Sequence, residues 1–209
     1  MDNYSRKVQD FYSGLTMRYG DSAEANAFSR DAQEFRWDKI LEMYRSVQQE
    51  DEKCSVLDFG CGTGDLYEYM KSNLKGEFFY TGIDIVPEMI QIAQAKIPEY
   101  DGEVYCKDVV ADGLDDEFDW IFINGIFNMN ISNEKEAVVN MKRILRLSFE
   151  CCRKGIIFNF ISKYVNWVDK EMNYFDPFFV AQFCVENLSR KIRLEHHYNK
   201  CDVCIMVLK

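Results

Sequence analysis

A chain of 209 residues with 47% hydrophobic content can build one substantial core but not several large domains. Its net charge of −10 works against a nonspecific grip on phosphate backbones, and its three prolines and eleven glycines leave no room for a low-complexity linker. The start, Met1-Asp2-Asn3-Tyr4, has neither basic nor apolar leader character, and no apolar run is long enough for a membrane span. A cytoplasmic protein with its eight cysteines reduced is therefore expected, with neither nucleic acid nor membrane as partner.

Residues 1–53 carry helical periodicity twice, at Ser5–Phe11 and more strongly at Ala32–Val47, where Phe35, Ile40, Leu41, Met43 and Tyr44 form an apolar stripe. Between them, Phe11-Tyr12-Ser13-Gly14 and Arg18-Tyr19-Gly20-Asp21 read as a loop rich in aromatics and glycine. Such a loop suits a lid that shuts water out of a site, and the segment reads equally as a helical decoration on a sheet edge. Residues 55–59 form the first strand, ending in Asp58-Phe-Gly60-Cys61-Gly62-Thr-Gly64. Glycines at alternate positions let the backbone turn sharply and approach a ligand closely. Asp58, an acid inside an apolar run, needs hydrogen bonds from the N–H groups of the turn or from a ligand amine.

The spacing narrows the ligand. A nicotinamide-type Gly-x-Gly-x-x-Gly counted from Gly60 would need glycine where Asp65 stands, and a phosphate-binding loop would need Lys-Ser/Thr after Gly64 instead of Asp65-Leu66. Beyond a helix over 64–75, the strand 79–84 ends in Asp84, twenty residues past Gly64, where a ribose-binding acid belongs; Asp84 can also cap the helix over 87–96 that opens at Pro87. A nucleoside ligand with little phosphate fits both observations. Strands at 103–106, 118–124 and 155–161 then alternate with helices over 133–153 and 176–188, and a hairpin of Lys191–Tyr198 and Asp202–Leu208 closes the chain. This alternation predicts an α/β fold: a doubly wound, mostly parallel sheet, ligand beyond the carboxyl ends of its strands, with an antiparallel last strand.

These residues resemble the class I S-adenosylmethionine-dependent methyltransferases. The resemblance covers Asp58–Gly64 as the glycine motif, Gly82-Ile-Asp84-Ile-Val-Pro-Glu-Met89 as the ribose motif, Cys106-Lys-Asp108-Val109 as the adenine-contacting turn, and Phe118-Asp-Trp-Ile-Phe-Ile-Asn124-Gly125 as the fourth strand. It implies a seven-stranded Rossmann-like sheet in a domain over 54–209, behind a helical cap over 1–53, and S-adenosylmethionine as cofactor. The implied cofactor-binding set is Asp58, Gly60, Cys61, Gly62, Gly64, Asp84, Ile85, Asp108, Val109 and Asn124. Within it Asp84 would accept both ribose hydroxyls, Asp108 would meet the adenine amino group, and the glycine turn would pass the methionine arm.

Asn124 is not followed by the Pro-Pro-Tyr/Phe that members of this family acting on DNA base amino groups carry, and no Pro-Cys pair serves a cytosine C5 reaction. The expected acceptor is a small polar molecule methylated on oxygen or nitrogen, held by Tyr12, Tyr19, Asn128 and Asn159; the open alternatives are a cofactor-binding partner subunit and a protein methyltransferase. His197, with His196 beside it, is the titratable group suited in kind to take an acceptor proton. Both histidines lie near Cys201 and Cys204, but strand period would point the two thiols to opposite faces, so no metal site is expected.

Overall fold

In the computed structural model, which describes residues 1–196 and 201–209, each strand sends alternate side chains to opposite faces of one sheet. The strands are β1 Cys54–Phe59, β2 Phe78–Asp84, β3 Gly102–Cys106, β4 Phe118–Ile123, β5 Cys152–Ile161, β6 Ile192–Glu195 and β7 Asp202–Leu208. They run in the order β3-β2-β1-β4-β5-β7-β6, parallel except for β7, which is antiparallel to both β5 and β6. The helices are α1 Asn3–Tyr19, α2 Arg30–Arg45, α3 Asp65–Asn73, α4 Pro87–Lys96, α5 Val109–Asp112, α6 Glu134–Glu150 and α7 Pro177–Asn187. The seven-stranded sheet with its antiparallel last strand is the fold expected from the alternation of elements.

On one face Ile121, Ile123, Ile156 and Phe158 pack against Met141, Ile144 and Leu145 of α6 and Val180 and Phe183 of α7. On the other, Trp120, Phe122 and Ile157 meet Ile40, Leu41 and Tyr44 of α2, Met70 of α3 and Ile90 of α4. Both faces being covered explains why the strands read as nearly continuous apolar runs. Strand order reverses between β1 and β4, so a crevice opens above their carboxyl ends, at the glycine turn on one side and Asn124 on the other.

The first fifty residues differ from expectation in two ways. Where a loop was read at residues 11–21, α1 runs unbroken from Asn3 to Tyr19 and stops at Gly20, which turns with φ +59. A glycine inside a helix costs only about 1 kcal/mol, and tertiary ties outweigh it: Gln9 Nε2 donates to Ile85 O at 3.1 Å and Ser13 Oγ to Glu88 Oε2 at 2.9 Å. In α2 the expected stripe keeps Ile40, Leu41, Met43 and Tyr44 in the core but leaves Phe35 exposed, while Gln33, Arg36 and Lys39 are buried. The charged residues belong inside because they pair there, Arg36 with Asp202 at 2.8 Å and Lys39 with Glu195 at 3.2 Å.

Two smaller shifts concern element ends. Helix α6 stops at Glu150 so that Cys152 can pair with Phe118, starting β5 three residues early. Asp108 also begins the short helix α5, accepting from Ala111 N at 3.2 Å. Among the described residues no helix is long and apolar enough to cross a membrane.

Candidate active site

The turn after β1 is built by backbone that L side chains avoid. Gly60, Gly62 and Gly64 sit at φ +80, +54 and +81, a region open to glycine without steric cost. A Cβ on Gly60 would collide with Ile126 and one on Gly62 with the Asn26 amide, so space as well as torsion demands glycine here. The turn is tied to β2, since Ile83 O accepts from Gly60 N at 2.8 Å and from Cys61 N at 3.1 Å. Asn26 reaches over it from the amino-terminal segment, its Nδ2 3.3 Å from Thr63 Oγ1.

The acids divide the work differently from the sequence reading. It is Asp84 that receives the turn: Gly62 N donates to its Oδ2 at 2.9 Å and Val86 N to its Oδ1 at 3.0 Å. Asp58 instead accepts from the Tyr80 hydroxyl at 2.7 Å, because β1 and β2 run in parallel register and place the Tyr80 ring beside it. Burial pushes the Asp58 carboxyl up to about 7; the Tyr80 hydrogen bond opposes this, and the charges of Asp84 and Asp65 add to it. Burial likewise raises Asp84 above its ordinary value against the pull of the Val86, Gly62 and Ile85 N–H groups. The Cys61 thiol, buried beside Gly82, is held well above its ordinary value by desolvation and by Asp84 and Asp58.

Asp58, Cys61 and Asp84 line one cavity of about 170 Å³, which also receives Ile85, Met89, Asp108, Val109, Asn124 and Gly125 from the strand ends and the helices that follow them. Tyr4 and Tyr12 of α1, Asn26 and Phe28 of the following segment, and Arg36 and Trp37 of α2 line the rest of it. Asp108 is 8% exposed and its Oδ2 has no partner among the described residues, so a buried acceptor stands free for a ligand donor. Burial and the neighbouring Asp84 charge push the Tyr12 hydroxyl upward, with Arg36 pulling the other way. A cavity with ionisable oxygens on one wall and aromatic faces on the other can hold a nucleoside and a cation together.

The remaining predicted residues fall in different places. Asn159, fully buried on β5, locks the loop after β4: its Oδ1 accepts from Gly125 N at 2.8 Å and its Nδ2 donates to Asn124 Oδ1. Asn128 is fully buried behind that loop and both its amide atoms lack partners among the described residues. Neither amide lines the cavity; the Asn159 side chain holds the loop that does. Tyr19 ends α1 on the surface, 38% exposed and beside Arg18, since the unbroken helix turns it away from the cavity that Tyr12 faces. His197 lies outside the described residues. Asn26, Phe28, Arg36 and Trp37 were not anticipated; the available signal was a charged residue, Arg36, four positions before Ile40 within the apolar stripe of α2.

A family model described as a methyltransferase domain matches residues 56–147. The protein Rv1506c of Mycobacterium tuberculosis (strain ATCC 25618 / H37Rv), named as a methyltransferase, is 28% identical over 159 residues, covering 74% of this chain and 93% of that protein. Among solved structures, magnesium protoporphyrin IX methyltransferase from Synechocystis PCC 6803 with bound S-adenosylmethionine superposes with a TM-score of 0.69 at 14% identity, over 100% of this chain and 98% of that one. A DhpI complex with S-adenosylhomocysteine gives 0.69 at 12% identity, over 97% and 95%.

Proposed function

We propose that this chain, a class I S-adenosylmethionine-dependent methyltransferase, passes the methyl group to an oxygen or nitrogen of a small polar acceptor. The observation that carries the acceptor class is the small, partly covered cavity: Tyr4 and Tyr12 of α1, Phe28 of the segment before α2 and Trp37 of α2 line its amino-terminal side, leaving about 170 Å³. A macromolecular acceptor would have to thread a side chain or base into that space.

The donor set fits the cofactor. Each Asp84 oxygen accepts one backbone N–H and retains a lone pair, enough to take the two ribose hydroxyls while still holding the turn. The free Oδ2 of Asp108 accepts from the adenine amino group, with Ile85, Met89 and Val109 as apolar walls of the base site. The backbone of Gly60, Cys61, Gly62 and Gly64 follows the amino-acid arm, whose ammonium meets Asp58, and Asn124 borders the reacting end.

When bound, S-adenosylmethionine supplies a methyl group on a sulfonium, so the residues need only hold the acceptor in line and dry. Tyr12 and Trp37 exclude water and turn aromatic surface toward positive charge. Asn159 acts as a positioning residue, fixing Asn124 and Gly125. Residues 1–53 serve as the cap of the domain over 54–209. Where the acceptor must lose a proton, His197 is the base assigned on sequence grounds.

The test is release of S-adenosylhomocysteine from enzyme, S-adenosylmethionine and separated acceptor pools. Release with small polar metabolites is expected. Release from protein or nucleic-acid pools alone would overturn the acceptor class, and a chain that binds the cofactor but releases nothing from any pool would be a partner subunit.

A further inference from the structure

Helices α6 and α7 each turn one face to the core and leave a shared outer face whose charge runs against that of the chain. Acids outnumber Lys and Arg by 35 to 25 overall, yet α6 carries no acid from Ala137 to Phe149 and α7 none from Pro177 to Val185. The cations of that stretch are Lys142, Arg143 and Arg146. Arg143 turns to Val110 O and, at 4.0 Å, to Asp2. Lys142 and Arg146 have no acidic partner among the described residues and lie over aromatic rings instead: Lys142 Nζ is 4.5 Å from the centroid of Phe179 and 5.4 Å from that of Phe183, and the Arg146 guanidinium carbon is 4.9 Å from that of Phe183. Arg146 also donates to Asn187 Oδ1 at 2.8 Å.

Apolar surface adjoins these cations. Val139, one turn before Lys142, is 63% exposed, and Phe178, beside Phe179 and 72% exposed, meets the Tyr164 ring at 6.0 Å between centroids. The acids that flank α7 are already engaged, Asp176 with Lys163 at 2.7 Å and Glu186 with the Gln182 amide at 2.8 Å. Adjoining apolar side chains left in water mark a contact surface, and the ring faces beneath Lys142 and Arg146 hold the two charges in place.

The pattern selects among occupants. A second copy meeting this face across a two-fold axis would set Lys142 and Arg146 against their own counterparts, which repel. An anionic bilayer recruits clusters of about four to eight basic residues, and two open cations on a chain of net charge −10 fall short of that. Single-stranded nucleic acid stacks its bases on open ring faces, whereas those of Phe179 and Phe183 are covered by cations. An acidic helix fits. Lys142 and Arg146 stand one turn apart on α6, about 6 Å along its axis, which is the interval of carboxylates at i and i+4 on a partner helix; Val139 and Phe178 then receive the apolar side chains beside them.

We propose that the outer face of α6 and α7 docks an acidic amphipathic helix of another protein. Fluorescence anisotropy on the full chain tests this with a labelled Ala-rich peptide about four turns long, carrying Glu at i and i+4 beside a stripe of Leu. The peptide is expected to bind, to weaken as salt is raised, and to lose at least about tenfold in affinity when Lys142→Glu and Arg146→Glu are combined. Combining Lys53→Glu with Lys75→Glu, exposed cations elsewhere, leaves affinity within about twofold. None of these side chains lines the cavity, and a melting temperature near wild type shows each variant folded, so the outcome does not depend on whether the chain binds an adenosyl ligand. No binding of the peptide, or equal loss in the two charge-reversed variants, would overturn the docking site. Vesicles of phosphatidylcholine and phosphatidylserine, or a polyuridine oligonucleotide, bound through Lys142 and Arg146 while the peptide stays free would also overturn it, and would give the face to a membrane or a nucleic acid.

Discussion

Asp58 gives the most specific pH behaviour. Its carboxyl is 2% exposed and sits at about 7 through burial, so roughly 10% of it is ionised at pH 6 and roughly 90% at pH 8. A ligand ammonium pairs with the ionised form, and cofactor affinity is expected to rise about tenfold from pH 6 to pH 8. Asp58→Asn is expected to flatten this dependence. Stability runs the opposite way. The folded value lies above the ordinary 3.8, so the folded protein keeps the proton longer than the unfolded chain and loses stability as pH climbs from about 4 to about 7. The gap corresponds to on the order of 4 kcal/mol. Asn at position 58 still accepts the Tyr80 hydroxyl and carries no charge, so the ligand-free Asp58→Asn variant melts several degrees above wild type at pH 8 and together with it near pH 4. Calorimetric affinities for S-adenosylhomocysteine and melts across this range check both signs. A wild-type affinity flat between pH 6 and pH 8, or a variant that melts below wild type at pH 8, would refute the reasoning.

Other substitutions probe the remaining parts of the site. Asp84→Ala removes the acceptor of Gly62 and Val86 N–H together with the proposed ribose contacts, and charge-assisted bonds of roughly 1.5–3 kcal/mol each predict at least about a hundredfold loss of cofactor affinity by calorimetry; affinity within threefold of wild type contradicts the assignment. Gly62→Ala forces a side chain to φ +54 and into Asn26, costing roughly 1–3 kcal/mol in denaturant unfolding, part of which Asn26→Gly restores by removing the collision. Asn159→Leu strips the partner from Gly125 N and Asn124, a loss of roughly 2 kcal/mol; turnover should fall while S-adenosylhomocysteine affinity stays near wild type, and unchanged turnover would show that the loop needs no such lock.

What the sequence made legible was local. Alternate glycines after an apolar strand dictate a tight turn whatever surrounds it, and acids at strand ends are costly enough to announce themselves, so Asp58, Asp84 and Asp108 were found with the turn they border. The partners were harder to read. That Gly62 N goes to Asp84 and the Tyr80 hydroxyl to Asp58 depends on the parallel register of β1 and β2, which no spacing encodes. The amino-terminal lining was hidden for the same reason. Gly14 hinted at a loop, but α1 continues because Gln9 and Ser13 bond to residues some seventy-five positions away, and Arg36 is drawn inward by Asp202 at the far end of the chain. Phe35, apolar and at helical spacing, was left outside because α2 buries its charged neighbours instead.

The most direct test of the central claim, that the glycine turn and Asp84 jointly hold an adenosyl cofactor, is titration of S-adenosylhomocysteine into the wild-type chain beside Asp84→Ala. One saturable site per chain, lost or severely weakened in the variant, is the result expected. Absence of heat with the wild type, or equal binding by both proteins, would contradict it.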